Sequence, residues 1–549
     1  MLLAILSLQV GGSYGSIDRY EESFANSGYG SALTAADFDG DGFADPVVGV
    51  PRRSTQGYSE NGVVVIYSGR TGHTLRTLHG QEDDLAFGSA VCAINDLDGD
   101  GVDDLLIGGA GFFDPVLDLQ GSVFVYSGAT GTRLRRINGD MPASIGDMLA
   151  RAGDVNADGV EDFLLGSRNA DPGGVFRTGS VFVHSGADGS MLLRLDGSFP
   201  GGEFGTTTAT AGDVNGDGHA DILVGAPDVM IAGMDKAGQC TVHSGMDGSI
   251  LYTFDGTQAY GKLGDSVAGG VDLNGDATPD FLLGSPDADP AIGTNAGSIF
   301  VHSGADGSLL QRIDGAVAGN HLGYQLAVGS DFDGDGAAEF AATAPFANES
   351  FPNTGAVVVF SGGNWQEVLR IAGATIDVEL GLAMAGGADV NGDGTKDFLV
   401  GAPEAGLYGE GYVVACGFRN HLNVGPRSLS ISTGGSFQFL FDFTSAHRHE
   451  SYRLLVSQSG VGPSTYGIAI PLTLDAMVLA TYQGQYPRGA AQGLSGQLDE
   501  VGRASGSLHL PAGLPSTLLG RTFWAAAIAG PQGMPPTVSS VAVALNFEA

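Results

Sequence analysis

Cysteine is nearly absent from this chain. Its 549 residues include three, Cys92, Cys240 and Cys416, far apart and without a Cys-x-x-Cys pair. That excludes a disulfide framework and reads as three small buried side chains. Basic residues are scarce too: 24 Lys plus Arg face 62 Asp plus Glu, for a net charge of −38. A phosphate backbone repels a surface this acidic, so nucleic acid is not expected as a partner. Charged residues of both signs amount to only 16%, below the usual share of about 25%. Hydrophobic residues reach 43%, enough for a packed core, which excludes wholesale disorder. Long apolar runs are missing, because the uncharged stretches 454–474 and 523–547 are broken by Gly, Pro, Ser and Gln. No transmembrane segment is therefore expected. The start, Met1 to Val10, has the length of a signal-peptide apolar core but lacks a basic start and an Ala-x-Ala site. Residues 1–15 are read as a partial signal or leader segment, with a strand as the alternative.

What the chain has in excess is glycine, 91 residues, with no three-residue period that would indicate collagen. The glycines belong to an internal repeat anchored on an acidic nonapeptide that begins at Asp37, Asp96, Asp154, Asp213, Asp272, Asp331 and Asp389. The spacings are 59, 58, 59, 59, 59 and 58 residues, too constant for composition noise, so one supersecondary unit recurs seven times. Each unit starts with an apolar residue and Gly, as in Phe87-Gly88 or Leu322-Gly323, and continues through the acidic loop. A short apolar run then ends in Gly-Ala-Pro or a variant, as at Gly225–Pro227 and Gly401–Pro403. A variable loop, a β-branched run such as 297–302, a tight turn with Asp306-Gly307 and a last run, 309–315, complete the unit. Four short strands per unit at a fixed long period predict an all-β chain with a seven-bladed β-propeller. Helical solenoids are excluded, because no run shows a 3.6-residue period.

The seventh unit stops at Cys416-Gly417 without its last strand, and the N-terminus holds a spare piece. Aligning Gly30 with Gly323 lays residues 16–21 on 309–314, which predicts 16–21 as the outer strand of the last blade and a propeller spanning 16–417.

The nonapeptides place oxygen side chains at positions 1, 3, 5 and 9. These are Asp37, Asp39, Asp41 and Asp45; Asp96, Asp98, Asp100 and Asp104; Asp154, Asn156, Asp158 and Asp162; and Asp213, Asn215, Asp217 and Asp221. The remaining copies have Asp272, Asn274, Asp276 and Asp280; Asp331, Asp333, Asp335 and Glu339; and Asp389, Asn391, Asp393 and Asp397. Oxygen-only donors on alternate residues, a Gly at position 6 for the turn and a carbonyl at position 7 suit Ca²⁺, which takes six to eight oxygens. Up to seven ions are expected. An EF-hand is excluded, because its position-12 Glu falls here on Val48, Ile107, Leu165, Val224, Leu283, Ala342 and Val400. Asp and Gly also make good turns, but a turn does not need four oxygens in every copy. Copies one, two and six carry four carboxylates and should bind most tightly. Copy five, with Ala277 and Pro279, should be weakest.

The order apolar-Gly, acidic loop, Gly-Ala-Pro resembles the FG-GAP repeat of integrin α-subunit propellers and of many bacterial surface proteins. The resemblance covers about 16–417 and implies a seven-bladed propeller with calcium in the loops between first and second strands, and with partners on the other face. Phe-Gly itself survives in two copies; the others have Tyr29-Gly30, Ile145-Gly146, Leu263-Gly264, Leu322-Gly323 and Leu380-Gly381. Integrins carry fewer calcium loops than seven, so a bacterial-type extracellular form is expected instead. Loops between second and third strands hold Arg52-Arg53, Phe112-Phe113, Phe176-Arg177, Phe346, Phe351 and Tyr408. Residues of these kinds suit a binding surface, although variable loops also tolerate such residues without a role.

No catalytic motif stands out. His184, His243 and His302 share a repeat position occupied elsewhere by Tyr67, Tyr126 and Phe360, and read as packing residues. His447 and His449 read as a solvated loop, with a weak metal site as the alternative. From about 424 to 549 the repeat gives way to short β-type runs, 428–433, 437–443, 452–456, 468–474, 505–510, 522–528 and 538–547, which predict a smaller β-sandwich domain. The combined expectation is a calcium-binding propeller, secreted or at the cell surface, that binds an extracellular protein or glycan ligand as an adhesion module. A secreted hydrolase or lyase acting on polymer or lipid, or a structural surface-layer component, is the alternative. Residues 418–549 carry six acidic and seven basic residues, so the acidity lies in the repeats.

Overall fold

The computed structural model describes residues 13–21, 27–114, 119–140, 144–291, 293–330, 337–349, 351–373, 377–392, 395–405 and 411–419, with further strand segments beyond residue 421. Two compact units result, Asp18–Gly417 and a second formed by Phe418–Ala549 with Met1–Ile17.

The first unit is a seven-bladed β-propeller. Its first strand, β1 (Ser13–Glu21), includes the last three residues of the segment read as a leader and belongs to the last blade. Blade 1 is β2 (Ala32–Ala36), β3 (Asp45–Val50), β4 (Val63–Tyr67) and β5 (Thr74–His79). Blade 2 is β6 (Phe87–Ile94), β7 (Asp104–Asp114), β8 (Leu119–Tyr126) and β9 (Arg133–Asp140). Blade 3 is β10 (Met148–Gly153), β11 (Asp162–Ser167), β12 (Ser180–His184) and β13 (Met191–Asp196). Blade 4 is β14 (Thr207–Gly212), β15 (Asp221–Ala226), β16 (Gln239–His243) and β17 (Ile250–Asp255). Blade 5 is β18 (Ser266–Val271), β19 (Asp280–Ser285), β20 (Ser298–His302) and β21 (Leu309–Asp314). Blade 6 is β22 (Leu326–Val328), β23 (Phe340–Ala344), β24 (Ala356–Phe360) and β25 (Glu367–Ala372). Blade 7 is β26 (Ala383–Ala388), β27 (Asp397–Ala402) and β28 (Tyr412–Arg419), with β1 added beside β28. The innermost strands β2, β6, β10, β14, β18, β22 and β26 touch their neighbours in a closed cycle. The only helix among the described residues is the 3₁₀ turn Pro172–Gly174.

The apolar core lies between blades. One cluster joins Leu223, Cys240, Val242 and Phe254 of blade 4 to Phe281 and Leu283 of blade 5, and equivalent clusters fill the gaps between other neighbouring blades. A second strand therefore buries both faces: Asp162–Ser167, Asp221–Ala226, Asp280–Ser285 and Asp397–Ala402 are buried at every residue. This is why these runs read as continuous apolar sequence instead of alternating. Fourth strands such as Ile250–Asp255 are exposed at alternate or successive positions, since they form the rim. All three cysteines are buried, and burial pushes the Cys92 thiol up to about 12.

Two glycines form the seam between blades at six of the seven junctions. A Cβ on Gly225 would lie 2.1 Å from the carbonyl oxygen of Gly264 in blade 5. The same approach recurs from Gly49 to Gly88 (2.2 Å), Gly108 to Gly146 (2.0 Å), Gly166 to Gly205 (2.3 Å) and Gly284 to Gly323 (2.3 Å), and Gly401 to Gly30 (2.2 Å) closes the ring. Each carbonyl belongs to the glycine of an apolar-Gly pair, whose apolar partner is buried (Tyr29, Phe87, Ile145, Phe204, Leu263, Leu322 and Leu380). That partner bridges to the glycine before the third strand of the preceding blade, as in Gly238↔Leu263. Blade 6 has Thr343 at the seam position, and the facing Gly381 sits at φ 108° against 83–102° for Gly146, Gly205, Gly264 and Gly323.

The second unit is also β-structured. One sheet orders Leu422–Gly425, Gly435–Asp442, Arg503–Leu510 and Ala491–Gln492. Another orders Ser428–Ser430, Val543–Glu548, Thr522–Gly530, Ser451–Ser457 and Ser495–Gln497. Within the expected run 468–474 the structure describes Ala469–Ile470, paired with Ser464–Thr465, and residues 468 and 471–474 lie outside the described residues. The strands Leu422–Gly425, Ala491–Gln492 and Ser495–Gln497 were not among the expected runs.

The seam predicts that Gly225→Ala lowers the melting temperature. Forcing a methyl into a filled contact costs about 1–3 kcal/mol, measurable by calorimetry against wild type, and unchanged melting would contradict the contact.

Candidate metal loops and the opposite mouth

Each acidic nonapeptide lies in sequence between the first and second strands of a blade, so the described loops emerge at the same end of the propeller. The fold of one loop is written in its hydrogen bonds. Asp37 at position 1 accepts backbone N–H from Gly40 (2.7 Å) and Asp41 (3.1 Å) on Oδ1 and from Gly42 (2.8 Å) on Oδ2. Asp41 at position 5 accepts from Phe43 N–H at 3.0 Å. Asp45 at position 9 opens β3, is fully buried, and accepts from Phe38 N–H (2.8 Å) and from Gly69 N–H (2.9 Å), the latter in the turn between third and fourth strands. Asp104, Asp162, Asp221 and Asp280 repeat this double bond to Gly128, Gly186, Gly245 and Gly304 and to position 2 of their own loops. The chain wraps its carboxylates because positions 4 and 6 adopt left-handed φ, 75° and 87° at Gly40 and Gly42.

In loops one and two this wrapping brings three carboxylates together. One oxygen each of Asp37, Asp39 and Asp45, and of Asp96, Asp98 and Asp104, lie within 4.8 Å of one another. Oxygens that share one Ca²⁺ at 2.3–2.6 Å are at most about 5.2 Å apart, so the donor set fits that ion. In loops three to five an asparagine replaces the central carboxylate, and its amide donates to the neighbouring aspartate: Asn156 to Asp158 (2.8 Å), Asn215 to Asp217 (2.8 Å) and Asn274 to Asp276 (2.9 Å). Those loops relieve part of their own repulsion, while loops one and two have no such donor. Burial pushes Asp45 up to about 7 and Asp280 to about 6, and it raises Asp104, Asp162 and Asp221 as well. Burial also raises Asp39, with Asp41 adding to the shift. Bonds from Gly101, His219 and Thr278 N–H hold Asp96, Asp217 and Asp276 below the ordinary carboxylate value. A nearby cation would favour the charged form of every one of these groups.

Asp154, Asp213, Asp272, Asp389, Asn391 and Asp397 occupy equivalent places, with Asp397 and Asn391 buried. Glu339, immediately before β23, is buried, whereas Asp331, Asp333, Asp335 and Asp393 lie outside the described residues, as do His447, His449 and Tyr408. Neighbouring loops are tied sideways: Ala44 N–H donates to Asp389 O (2.8 Å), Ala220 N–H to Asp154 O (3.0 Å), and Arg151 joins Glu161 (2.7 Å) to Asn95 (2.6 Å).

His184, His243 and His302 stand in three different blades. Each ring Nδ1 meets a carbonyl of its own hairpin, Gly189, Gly248 or Gly307, at 3.0–3.1 Å, and burial lowers each pKa. They form no common site. Among the loop residues expected to bind, Phe176 and Phe351 are exposed, Arg177 pairs with Glu203 (3.1 Å), and Arg52 with Glu404 (3.7 Å).

The sequence reading missed a cluster at the other end of the propeller. Asp287 lies between Lys262 (2.9 Å) and His321 (2.9 Å). Burial works against its charge, but those two neighbours outweigh it and hold it below the ordinary value. Nearby Asp265 is pushed up to about 6, first by burial and further by Asp287, against the pull of Lys262. The sign of this cluster was available in the repeat register. Lys262 and His321 hold the place just before an apolar-Gly pair, at φ 54° and 55°, strained values for non-glycine residues.

These features define a class: a closed seven-bladed β-propeller with an oxygen-donor loop in every blade. The FG-GAP repeat family model matches residues 29–67, 204–243 and 322–360. Similar curated proteins include integrin alpha-5 of Xenopus laevis, 31% identical over 37% of this chain and 20% of its own length, and integrin alpha-V of Gallus gallus, 31% identical over the same shares. Human phosphatidylinositol-glycan-specific phospholipase D is 29% identical over 59% of this chain and 44% of its own length. The chain thus spans a fifth to less than half of the relatives it matches. It is an integrin-α-like FG-GAP-repeat propeller.

Two outcomes test the local chemistry. Ala277 holds position 6 of loop five at φ 70°, where a left-handed backbone costs a non-glycine about 1 kcal/mol. Ala277→Gly should raise the melting temperature, and a lower one would contradict the strain. Asp265 has its pKa raised on folding, so its stabilising contribution is complete below about pH 4 and is lost as pH rises through about 6. The melting temperature of Asp265→Asn should therefore gain on wild type between pH 4.5 and 7.5; a pH-independent difference would contradict it.

Proposed function

We propose that this chain is a calcium-stabilised extracellular propeller that binds a protein or glycan ligand as an adhesion module. The observation that carries the calcium reading is the pair of all-carboxylate triads in loops one and two, whose oxygens lie within 4.8 Å of one another. Like charges held this closely are costly without a counter-ion, and oxygen-only donors select a hard cation. The ions would sit in the loops between first and second strands, up to one per blade. There they would lock position 1 of each loop to the buried carboxylate that opens the second strand. Calcium here stabilises and is not itself the ligand-binding group, which leaves the opposite loops, with exposed Phe176 and Phe351, for recognition. Surface location is supported by relatives named as integrins. No helix among the described residues is long and apolar enough to cross a membrane.

A secreted enzyme is the second reading. It is favoured by the match to phosphatidylinositol-glycan-specific phospholipase D, which extends over 59% of this chain. A hydrolase screen on phospholipid and polysaccharide substrates separates the two readings.

The decisive measurement is calorimetric melting with Ca²⁺ and with excess chelator. Each site held at 100 times its dissociation constant adds about 2.7 kcal/mol, so a large fall in melting temperature is expected on chelation. Asp96→Asn should reduce that fall. Identical melting in Ca²⁺ and chelator would sink the calcium reading.

A further inference from the structure

Between blades 4 and 5 a cleft of about 300 Å³ opens on the outer side of the ring, between β17 and the β20–β21 hairpin. Phe254 and Leu263, both buried, and the half-buried His302 line its apolar floor, and the Phe254 and His302 rings lie 4.2 Å apart. Asp255, Gln258 and Arg312 line its polar rim. The repeat supplies an internal comparison. The equivalent cleft between blades 3 and 4 is lined by the matching Phe204, Asp196 and His243, yet holds only about 60 Å³. Phe199 lines that smaller cleft at the position that Gln258 occupies in the larger one. Gln258 accepts the Asp289 N–H on Oε1 at 3.0 Å, which draws its side chain toward the loop after β19 and leaves its amide N–H donors for another partner. Arg312 is oriented too, by Asp314 Oδ1 at 2.7 Å and by its stacking over the Phe300 ring at 5.3 Å. Ligand sites are mostly apolar hollows of this size with a few oriented polar groups at the edge.

We propose that the cleft between blades 4 and 5 is a binding site for one neutral sugar ring of a glycan. The proposal rests on the reading of the propeller as a ligand-binding module and gives that reading a place and a ligand class. An apolar floor takes the C–H face of a pyranose ring. A carboxylate, an amide and a guanidinium on one rim supply acceptors and donors for adjacent hydroxyls, the combination that hydroxyl pairs require. The net charge of −38 disfavours anionic sugars, and the Arg312 charge is already met by Asp314. The cleft is too small for a folded partner and sits on one blade junction, so it would bind a single unit of a chain.

The test uses the full chain in Ca²⁺. Titration calorimetry and saturation-transfer NMR would be run with the methyl glycosides of glucose, galactose, mannose, fucose and N-acetylglucosamine. At least one should bind with one-to-one stoichiometry and a dissociation constant of about 1 mM, the range expected for so small a ligand. Gln258→Phe, which copies the blade 3–4 junction, should weaken binding at least tenfold. Leu309→Trp, at an exposed rim position, should do the same and decides the matter if the first variant melts early. Absence of binding by any glycoside, or binding unchanged in both variants, overturns the site. If no glycoside binds while immobilised extracellular proteins still bind wild type, the cleft proposal fails while the ligand-binding role of the propeller stands.

Discussion

One buried carboxylate per blade organises this molecule. It stands at the head of the second strand, and in blades 1 to 5 it accepts two backbone N–H bonds, one from its own loop and one from the turn between third and fourth strands. Through it the acidic loop and the hairpin turn at the far side of the blade become one unit. A charge so placed is tolerated only if its bonds are complete, because an unpaired buried charge is far more costly than an unpaired polar group. The loop in front of it adds two or three more oxygens. The blade is thus built around clustered like charge, and the acidity of the whole chain follows from repeating that arrangement. The repeat region carries 56 acidic residues against 17 basic, and 24 of the 56 are loop donors.

The second constraint is steric. Blades approach so closely that backbone glycine faces backbone carbonyl at six of the seven junctions, with Thr343 the exception. That explains the repeat motif in physical terms. The apolar residue of the first pair fills the gap between blades, its glycine offers the carbonyl, and the glycine of the later triplet makes room for it. Whether the leading residue is Phe, Tyr, Leu or Ile matters less, since any of them fills the space. Alanine or serine after the triplet glycine and the loss of its proline are likewise tolerated, because neither touches the seam.

Repetition also shows where function departs from scaffold. Positions that pack are similar from blade to blade, while the end opposite the acidic loops and the lateral clefts differ at each junction. Lys262, Asp287 and His321 gather at one junction of that end, and Gln258 opens a cleft that Phe199 narrows at the next. A propeller can vary such places freely, because each blade already has its core from its two neighbours.

Much was legible in the sequence because the determinants are local and recur at a fixed period. The blade number, the four strands per blade, the acidic loop between first and second strands, and the exclusion of an EF-hand by an apolar residue at position 12 all follow from spacing and residue type. The three histidines were legible as packing positions for the same reason, since their register matches Tyr67, Tyr126 and Phe360. The strands Leu422–Gly425, Ala491–Gln492 and Ser495–Gln497 were not, because outside the repeat there is no second copy to check a short run against. Tertiary structure alone decided which carboxylate is buried, which oxygens converge, and which junction leaves a cleft. Those depend on the approach of residues 24 to 59 positions apart, from adjacent turns and adjacent blades. A linear pattern states which groups are present, but only closure of the ring sets their distances.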